Sequence, residues 1–382
     1  MITVTKIPRQ NVFSGNPVVF GLETDTDEAV VVEVITGGRS YFTSYFPFQD
    51  DGVYRVKMEL SGYLQPPDVP LAVPSGNIVA SLDGFIIPYT VKIGDSYEFT
   101  GNAFRGGISN KVYTRLADNG YDIFSYRLTS SRRQFLFTTR THDSEVRLRD
   151  TELYPFVFLN RNIPLSFVSP SGNTIDINTA GFGPVCVMDL VALRSAFNEQ
   201  YGEIPDVIKV YASGNLAFSF IISPGKLAEE KYRLRFLNSL GAYELLEVTA
   251  RASHTSEFGE EDLYNVMNGY DFFEERKTRT PGREKIEVET GRRLRHEMPF
   301  ILDMIKSEEV YFIWPSGQEF RCRVSTDAFK YRERITEPTS IPLTITELTD
   351  ERFALPPIDS FPAWIQVIPV ASAWDAEGNL IS

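Results

Sequence analysis

Short runs rich in Val, Ile, Phe and Tyr, each closed by a turn signal, follow one another along most of this chain, and that rhythm excludes a helical bundle. Residues 17–22, 29–35, 41–46 and 53–60 open the series, with Asp51-Gly52 supplying the turn before the last of them. β-Branched and aromatic side chains suit a pleated, half-buried surface, and short runs bounded by Gly, Pro and Asn read as strands. The 28 Phe and 18 Tyr among 382 residues strengthen the reading, because so many rings fit sheet faces better than helix interiors. The segment up to residue 65 is therefore expected to be a small β-sandwich.

Gln65-Pro66-Pro67-Asp68-Val69-Pro70 then interrupts the pattern. Successive prolines fix the backbone and remove donors, so a domain boundary is expected there. From 71 to 225 the chain is β-like again, with runs at 96–100, 121–128, 134–139, 156–159 and 165–168. One stretch departs from this: across 187–197 apolar residues recur at three and four, which predicts a short amphipathic helix ending near Gly202. Four related tetrapeptides, Pro74-Ser75-Gly76-Asn77, Pro170-Ser171-Gly172-Asn173, Ala212-Ser213-Gly214-Asn215 and Pro315-Ser316-Gly317-Gln318, each precede a β-like run. They read as hairpin tips, with ligand loops as the alternative, and their irregular spacing excludes a solenoid or propeller.

Beyond 225 the character changes. Runs at 232–237 and 243–249 flank Asn238-Ser239-Leu240-Gly241 as in a hairpin, and an acidic, less periodic stretch covers 256–275. A strand at 285–289, a helix at 294–305, strands at 310–314 and 320–324 around the 315–318 turn, and a last run at 341–348 complete an α+β module whose helix covers one sheet face. Residues 355–382 carry Pro356, Pro357, Pro362, Pro369, Trp364 and Trp374, which suits a packed extension better than a free tail. The expected fold is mainly β. Tandem immunoglobulin-like β-sandwich domains occupy 1–68 and 69–225, the second with a short helix near 187–201. A β-rich α+β assembly-type domain with one or two short helices occupies 226–350, and a C-terminal extension 351–382.

With 38 basic and 51 acidic residues the formal charge is -13, which repels a phosphate backbone, so no nucleic acid partner is expected. Cys186 and Cys322 are far apart with no CxxC spacing; two buried thiols are favoured over a disulfide. The N-terminus opens on a polar, turn-rich stretch without an apolar signal core, and no apolar run approaches the ~20 residues of a membrane span. No membrane insertion is expected, and the protein is expected to be made in the cytoplasm without a signal peptide and to leave by lysis or in a particle such as a virion.

No residue set declares catalysis. His142, His254 and His296 form no metal-ligand or triad spacing, and Gly-x-Ser-x-Gly, Walker A and Gly-x-Gly-x-x-Gly motifs are missing. Carboxylates gather at Asp25, Asp27 and Glu28, at Asp50 and Asp51, and at Glu257, Glu260, Glu261 and Asp262 without a calcium-loop pattern; acidic loops usually solvate a surface. Arg127, Arg132, Arg133, Arg140, Arg147 and Arg149 lie near Tyr121, Phe124 and Tyr126, and Arg292, Arg293 and Arg295 form a second group. Single-stranded nucleic acid is one reading; strand alternation, with Arg facing water or a neighbouring subunit, is the favoured one. No catalytic, cofactor-binding or metal residue is assigned, and no cofactor is expected.

Several pieces resemble a family of proteins encoded by Bacteroidales phages and prophages. They are Asn11-Val12-Phe13-Ser14-Gly15-Asn16-Pro17, Tyr232-Arg233-Leu234-Arg235-Phe236-Leu237-Asn238-Ser239-Leu240-Gly241-Ala242-Tyr243-Glu244, Pro281-Gly282-Arg283-Glu284 with Ile286-Glu287-Val288-Glu289-Thr290-Gly291, and Glu337-Pro338-Thr339-Ser340-Ile341-Pro342-Leu343. The element order from 284 to 348 is similar to phage tail-tube and distal-tail modules, which form rings by joining sheets between subunits. The resemblance implies a non-catalytic tail or baseplate-type component that assembles with itself or protein partners, and it brings no catalytic residue with it. Two other readings stay open: a carbohydrate- or cell-surface-binding β-sandwich protein using Tyr41, Phe42, Tyr45 and Phe46, most of which are expected in the core, and a glycoside hydrolase with an unlocated carboxylate pair.

Overall fold

The computed structural model describes residues 2–64, 77–81, 84–94, 97–120, 135–136, 138–140, 145–149, 152, 156–158, 164–178, 185–223, 232–258, 262–266, 273–277, 282–315, 317–327, 329 and 338–348. Its first unit is a sandwich of two sheets. A four-stranded sheet runs in the order Ile2–Lys6, Val19–Thr24, Val53–Glu59, Phe48–Asp50; a five-stranded sheet runs Asn11–Phe13, Tyr97–Phe104, Ile86–Ile93, Val30–Thr36, Arg39–Tyr45. Asn11–Phe13 pairs parallel to Tyr97–Phe104, and its neighbours are antiparallel. In immunoglobulin notation this is A-B-E-D packed on A′-G-F-C-C′, which makes the domain immunoglobulin-like by strand order. Alternation drives it: Val30, Val32 and Val34 face inward against Phe20, Leu22, Val56, Met58, Val91 and Ile93, all buried.

The expected boundary at 68 is corrected. Ile86–Ile93 and Tyr97–Phe104 lie beyond the proline-rich break yet form the centre of the first sandwich's larger sheet. Prolines stop a strand, but they do not stop the chain from returning to the same sheet.

The chain makes an excursion between Glu59 and Ile86. In the second sandwich, the five-stranded sheet is Glu145–Arg149, Asn215–Ser223, Val207–Ala212, Leu165–Val168, Thr174–Ile177, and the four-stranded sheet is Phe135–Leu136, Phe156–Phe158, Val185–Met188, Val79–Ser81. Val79–Ser81 belongs by sequence to the excursion from the first domain. It occupies the edge beside Val185–Met188, the position that Phe48–Asp50 fills in the first sandwich. Val79 is buried in the second core with Leu165, Phe167, Met188, Leu193 and Phe220, and the Asp189 N–H donates to the Ile78 carbonyl at 2.8 Å. The two sandwiches are thus interlocked.

Among the described residues three α-helices accompany the strands: α1 Asn110–Asp118, α2 Leu190–Tyr201 and α3 Met298–Lys306. The helix expected from 187 begins later, because Val187 and Met188 belong to a strand. Asp189 caps α2, its carboxylate accepting from the Val191 and Ala192 N–H groups at 2.9 Å each, and Gly202 at φ +70° ends it. Three of the four tetrapeptides are hairpin tips, with Gly172, Gly214 and Gly317 at positive φ; Pro74-Ser75-Gly76 lies outside the described residues.

The third unit is a closed six-stranded barrel in the order Tyr232–Leu237, Tyr243–Phe258, Gly282–Glu289, Pro342–Glu347, Glu319–Ser325, Val310–Ile313. The sheet of the expected α+β module is closed: Tyr232–Leu237 pairs with Val310–Ile313 and completes the circle. α3 packs Met298, Phe300, Ile301 and Met304 into the barrel core against Phe236, Phe312 and Ile345. The stretch 256–275, read as aperiodic, is largely strand. Tyr243–Phe258 and Gly282–Glu289 stay paired out to Phe258 and Gly282, and Asp262–Val266 pairs with Phe273–Lys277. Pro342–Glu347 accompanies Gly282–Glu289 only as far as Lys285, so among the described residues the remainder is a two-stranded ribbon. The tail expected at 351–382 and the run at 121–128 lie outside the described residues. Among the described residues no helix is long and apolar enough to cross a membrane.

Because Val79 belongs to the second core, Val79→Asp is expected to destabilise the protein by about 3 kcal/mol through burial of an unpaired charge. Urea unfolding followed by fluorescence checks it. An unchanged midpoint would show that the donated strand is dispensable.

Candidate functional site

The three units meet at a joint made of two parts, one apolar and one charged. In the apolar part, Phe13, Phe85 and Phe104 from the first sandwich, Val185 and Val187 from the second, and Leu240 and Ala242 from the first barrel hairpin form one buried cluster. The hairpin turn Asn238-Ser239-Leu240-Gly241 reaches between the sandwiches, and the Gly107 N–H donates to the Ser239 carbonyl at 2.6 Å. Two glycines permit the approach. Gly106 and Gly241 have φ of +89° and +87°, a Cβ on Gly106 would overlap the Leu240 carbonyl carbon, and one on Gly241 would lie 2.8 Å from the Arg105 Cβ.

The charged part joins the second sandwich to the barrel around Glu152. Its Oε2 accepts from Arg140 Nη1 at 2.5 Å and its Oε1 from Arg293 Nη2 at 3.0 Å. The Arg149 N–H at 3.1 Å and the Glu247 N–H at 2.8 Å complete its shell. Arg140 also donates to Glu244 at 3.1 Å and to the Leu245 carbonyl, and lies over the Phe300 ring at 3.7 Å from the centroid. Arg149 pairs with Glu247 at 3.1 Å and Arg293 with Glu297 at 3.2 Å. Burial works to raise the Glu152 carboxyl, but the Arg140 and Arg293 charges and the Glu247 N–H outweigh it and hold the group at about 2. Glu244 moves the other way: burial raises it more than Arg140 and its hydrogen bonds from Asn238 and Thr138 lower it. Burial likewise raises Asp303, which accepts from the Ser239 N–H at 3.0 Å.

Two features stand apart from this joint. The first is the aromatic edge of the first sandwich, where Phe42, Phe46 and Phe48 are 71%, 78% and 54% exposed. Of the four rings expected mostly in the core, Tyr45 packs against it, but the expectation is corrected for the exposed Tyr41, Phe42 and Phe46, since Arg39–Tyr45 is an edge strand and the chain leaves it directly for a second edge, Phe48–Asp50. Beside them a groove of about 590 Å³ is lined by Val31, Glu33, Phe42, Lys92, Gly94, Tyr97 and Glu98, with Lys92 bound to Glu33 at 3.3 Å. The second is the barrel ribbon.

The structure redistributes the residues singled out by type. Arg140 and Arg293 do not face water; they are buried because Glu152 lies between them. Arg147 is surface-exposed beside Glu145, and Arg127, Arg132 and Arg133 lie outside the described residues. Asp25, Asp27 and Glu28 are exposed on one loop, and Asp50 pairs with Arg55. Glu257 and Asp262 fall on the ribbon strands, whereas Glu260 and Glu261 lie outside the described residues. His254 lies on Tyr243–Phe258, His296 in the helical turn Arg295–Glu297, and His142 outside the described residues. Cys186 and Cys322 are buried thiols not joined in a disulfide, burial pushing them up to about 11 and about 12. Among the described residues no three His, Cys, Asp or Glu side chains gather to hold a metal. The buried carboxylates at the joint are engaged by guanidinium groups, an arrangement that fixes domains rather than one open to a sugar. Glu152 carries no motif and was not singled out; its position between two arginine groups emerges only in three dimensions.

Strand order and joint together define a tandem immunoglobulin-like sandwich protein with an appended barrel, a multidomain β protein. No family model matches the sequence, and no curated protein matches it. Among solved structures, similarity extends to a biofilm-associated protein BSP domain (7% identity, TM-score 0.17, 59% of this chain), of which this chain spans 30%. It extends also to a titin immunoglobulin tandem (8%, 0.20, 59% of this chain and 97% of that one). A third is a structure concerned with host cell surface retention of a 1.5-MDa bacterial ice-binding adhesin (12%, 0.14, 76% and 91%). Likenesses this remote carry no functional argument, and the fold assignment rests on strand order.

The Glu152 carboxyl titrates lower in the folded chain than its ordinary 4.5, so its stabilisation is complete above about 4.5 and is lost as pH falls towards about 2. Glu244 and Asp303, raised by burial, act in the opposite sense. Glu152→Gln is expected to cost about 3–5 kcal/mol at pH 7, because Arg140 and Arg293 lose their shared anion, and to flatten the acid loss of stability below pH 4.5. Urea midpoints measured from pH 7 to pH 3 check both; parallel pH profiles for parent and variant would refute the assignment.

Proposed function

We propose that the protein is a non-catalytic structural subunit of a phage- or prophage-derived tail or baseplate-type assembly, with the barrel as its ring-forming module. The observation that carries this reading is the ribbon. Tyr243–Phe258 and Gly282–Glu289 leave a closed barrel as two strands, and among the described residues no third strand lies beside them past Lys285. An isolated two-stranded ribbon is marginal in water, so one that extends from a stable barrel is suited to lie on a neighbouring subunit and gain stability there. The interlocked sandwiches and the glycine-tight joint support the same reading, since a rigid subunit transmits the geometry of one contact to the next.

A second reading, a cell-surface glycan ligand, is favoured by one observation: the groove beside Phe42, where an exposed ring borders Glu33, Lys92 and Glu98. A ring that stacks on a sugar face beside both donors and acceptors has the right chemistry. A glycan array on which the Phe42→Ala variant and the parent both stay silent would remove it.

Ring formation is tested by electron microscopy and mass photometry of the purified chain. Closed oligomers are expected, and replacing the ribbon tip from 262 to 277 with a short turn is expected to abolish them while leaving the thermal unfolding of the sandwiches within about 1 °C of the parent, since the two sandwich cores are built from residues of the first two units. A parent that stays monomeric at every concentration tested would overturn the reading.

A further inference from the structure

Edge strands expose backbone donors and acceptors, and proteins protect them with charges, prolines, bulges or brevity. Among the described residues the sandwich edges show these devices. Ile2–Lys6 has a register shift between Val4 and Lys6 and ends in a lysine. Phe48–Asp50 is three residues long and ends in an aspartate ion-paired with Arg55. Glu145–Arg149 alternates charges through Glu145, Arg147 and Arg149, and Thr174–Ile177 carries Asp176.

Arg39–Tyr45 has little of this protection. It spans seven residues, pairs with Val30–Thr36 without a register shift, contains no proline, and its one charge is Arg39 at its start. Among the described residues no strand of the sheet lies on its other side. The exposed ring of Phe42 is on this edge, that of Phe46 in the connection that follows it, and that of Phe48 on the neighbouring edge strand of the other sheet.

We propose that this edge is an interface with a second copy of the chain, in which Arg39–Tyr45 pairs antiparallel with itself about a two-fold axis at Phe42. That register sets Phe42 opposite Phe42, Tyr41 opposite Thr43, Ser40 opposite Ser44 and Arg39 opposite Tyr45. Charge does not oppose a like partner here. The chain carries -13 overall, yet this register opposes no two like charges, and its one cation meets a tyrosine ring. The area also suffices. At ~200 Å² per ring, the exposed Phe, Tyr and Val surface of two copies is on the order of 1,000 Å², and the paired backbones bring the total to the lower range of specific interfaces, ~1,200 Å². The contact is separate from the barrel ribbon and does not depend on the ring-forming reading.

The full chain carrying Phe42→Cys tests it under mild oxidation, the native Cys186 and Cys322 being buried. A disulfide-linked dimer is expected on a non-reducing gel, while Arg39→Cys alone is expected to give none, because that residue faces Tyr45. In sedimentation velocity Phe42→Lys, which sets two ammonium groups at the axis on an exposed position, is expected to be monomeric at concentrations where the parent dimerises. Cross-linking no greater for Phe42→Cys than for Arg39→Cys, or a Phe42→Lys chain that sediments like the parent, would overturn the proposal. A chain whose ring is lost on ribbon replacement but whose Phe42→Cys form does not cross-link would keep the ring and refute this interface.

Discussion

The close approach of Gly106 and Gly241 is the contact on which the arrangement of the three units depends. Both residues sit in left-handed backbone where a side chain is strained, and each faces the other's neighbouring main chain with no space for a Cβ. That approach lets the Ser239 carbonyl reach the Gly107 N–H and seats Leu240 and Ala242 among Phe13, Phe85, Phe104, Val185 and Val187. A barrel hairpin thereby becomes part of a core shared by both sandwiches. Apolar area supplies adhesion there, and the absence of side chains supplies the fit.

The Glu152 network has a different task. A buried anion between two guanidinium groups is rarely worth more than an apolar replacement of equal shape, because desolvation offsets most of the Coulomb gain. It does, however, admit very few geometries: Glu152 accepts from Arg140, Arg293 and two backbone N–H groups, and a small rotation of the barrel leaves one of these charges unpaired. The apolar cluster holds the units together, and the charged cluster selects one orientation. The donated strand Val79–Ser81 adds a third constraint, since the second sandwich completes its smaller sheet with residues from the first domain's excursion.

The strands of the first sandwich were legible where one face is buried: 29–35 and 53–60 correspond to Val30–Thr36 and Val53–Glu59 because Val and Met alternate with polar residues. The ribbon was not legible because that alternation is missing across 256–275. Domain limits failed for a topological reason, as the prolines at 66, 67 and 70 mark a real break in strand but the sheet resumes at Ile86. The joint was illegible in principle. Arg140, Glu152, Glu247 and Arg293 are spread across the second and third units, and no local spacing links them.

Charge adds a last constraint on any assembly of this chain. A subunit at -13 repels its copies at long range, so a stable contact must be neutral or locally compensated and close enough to exceed the screened repulsion. In the ribbon Glu257 is opposite Arg283 and Asp262 opposite Lys277, which sets part of its acid against base across the pair, while Glu274, Glu275 and Glu284 face uncharged residues. The Arg39–Tyr45 edge carries almost no charge at all. Of the two segments it is therefore the one where copies can meet without opposing like charges, in contrast to the exposed acidic loop of Asp25, Asp27 and Glu28 on the same sandwich.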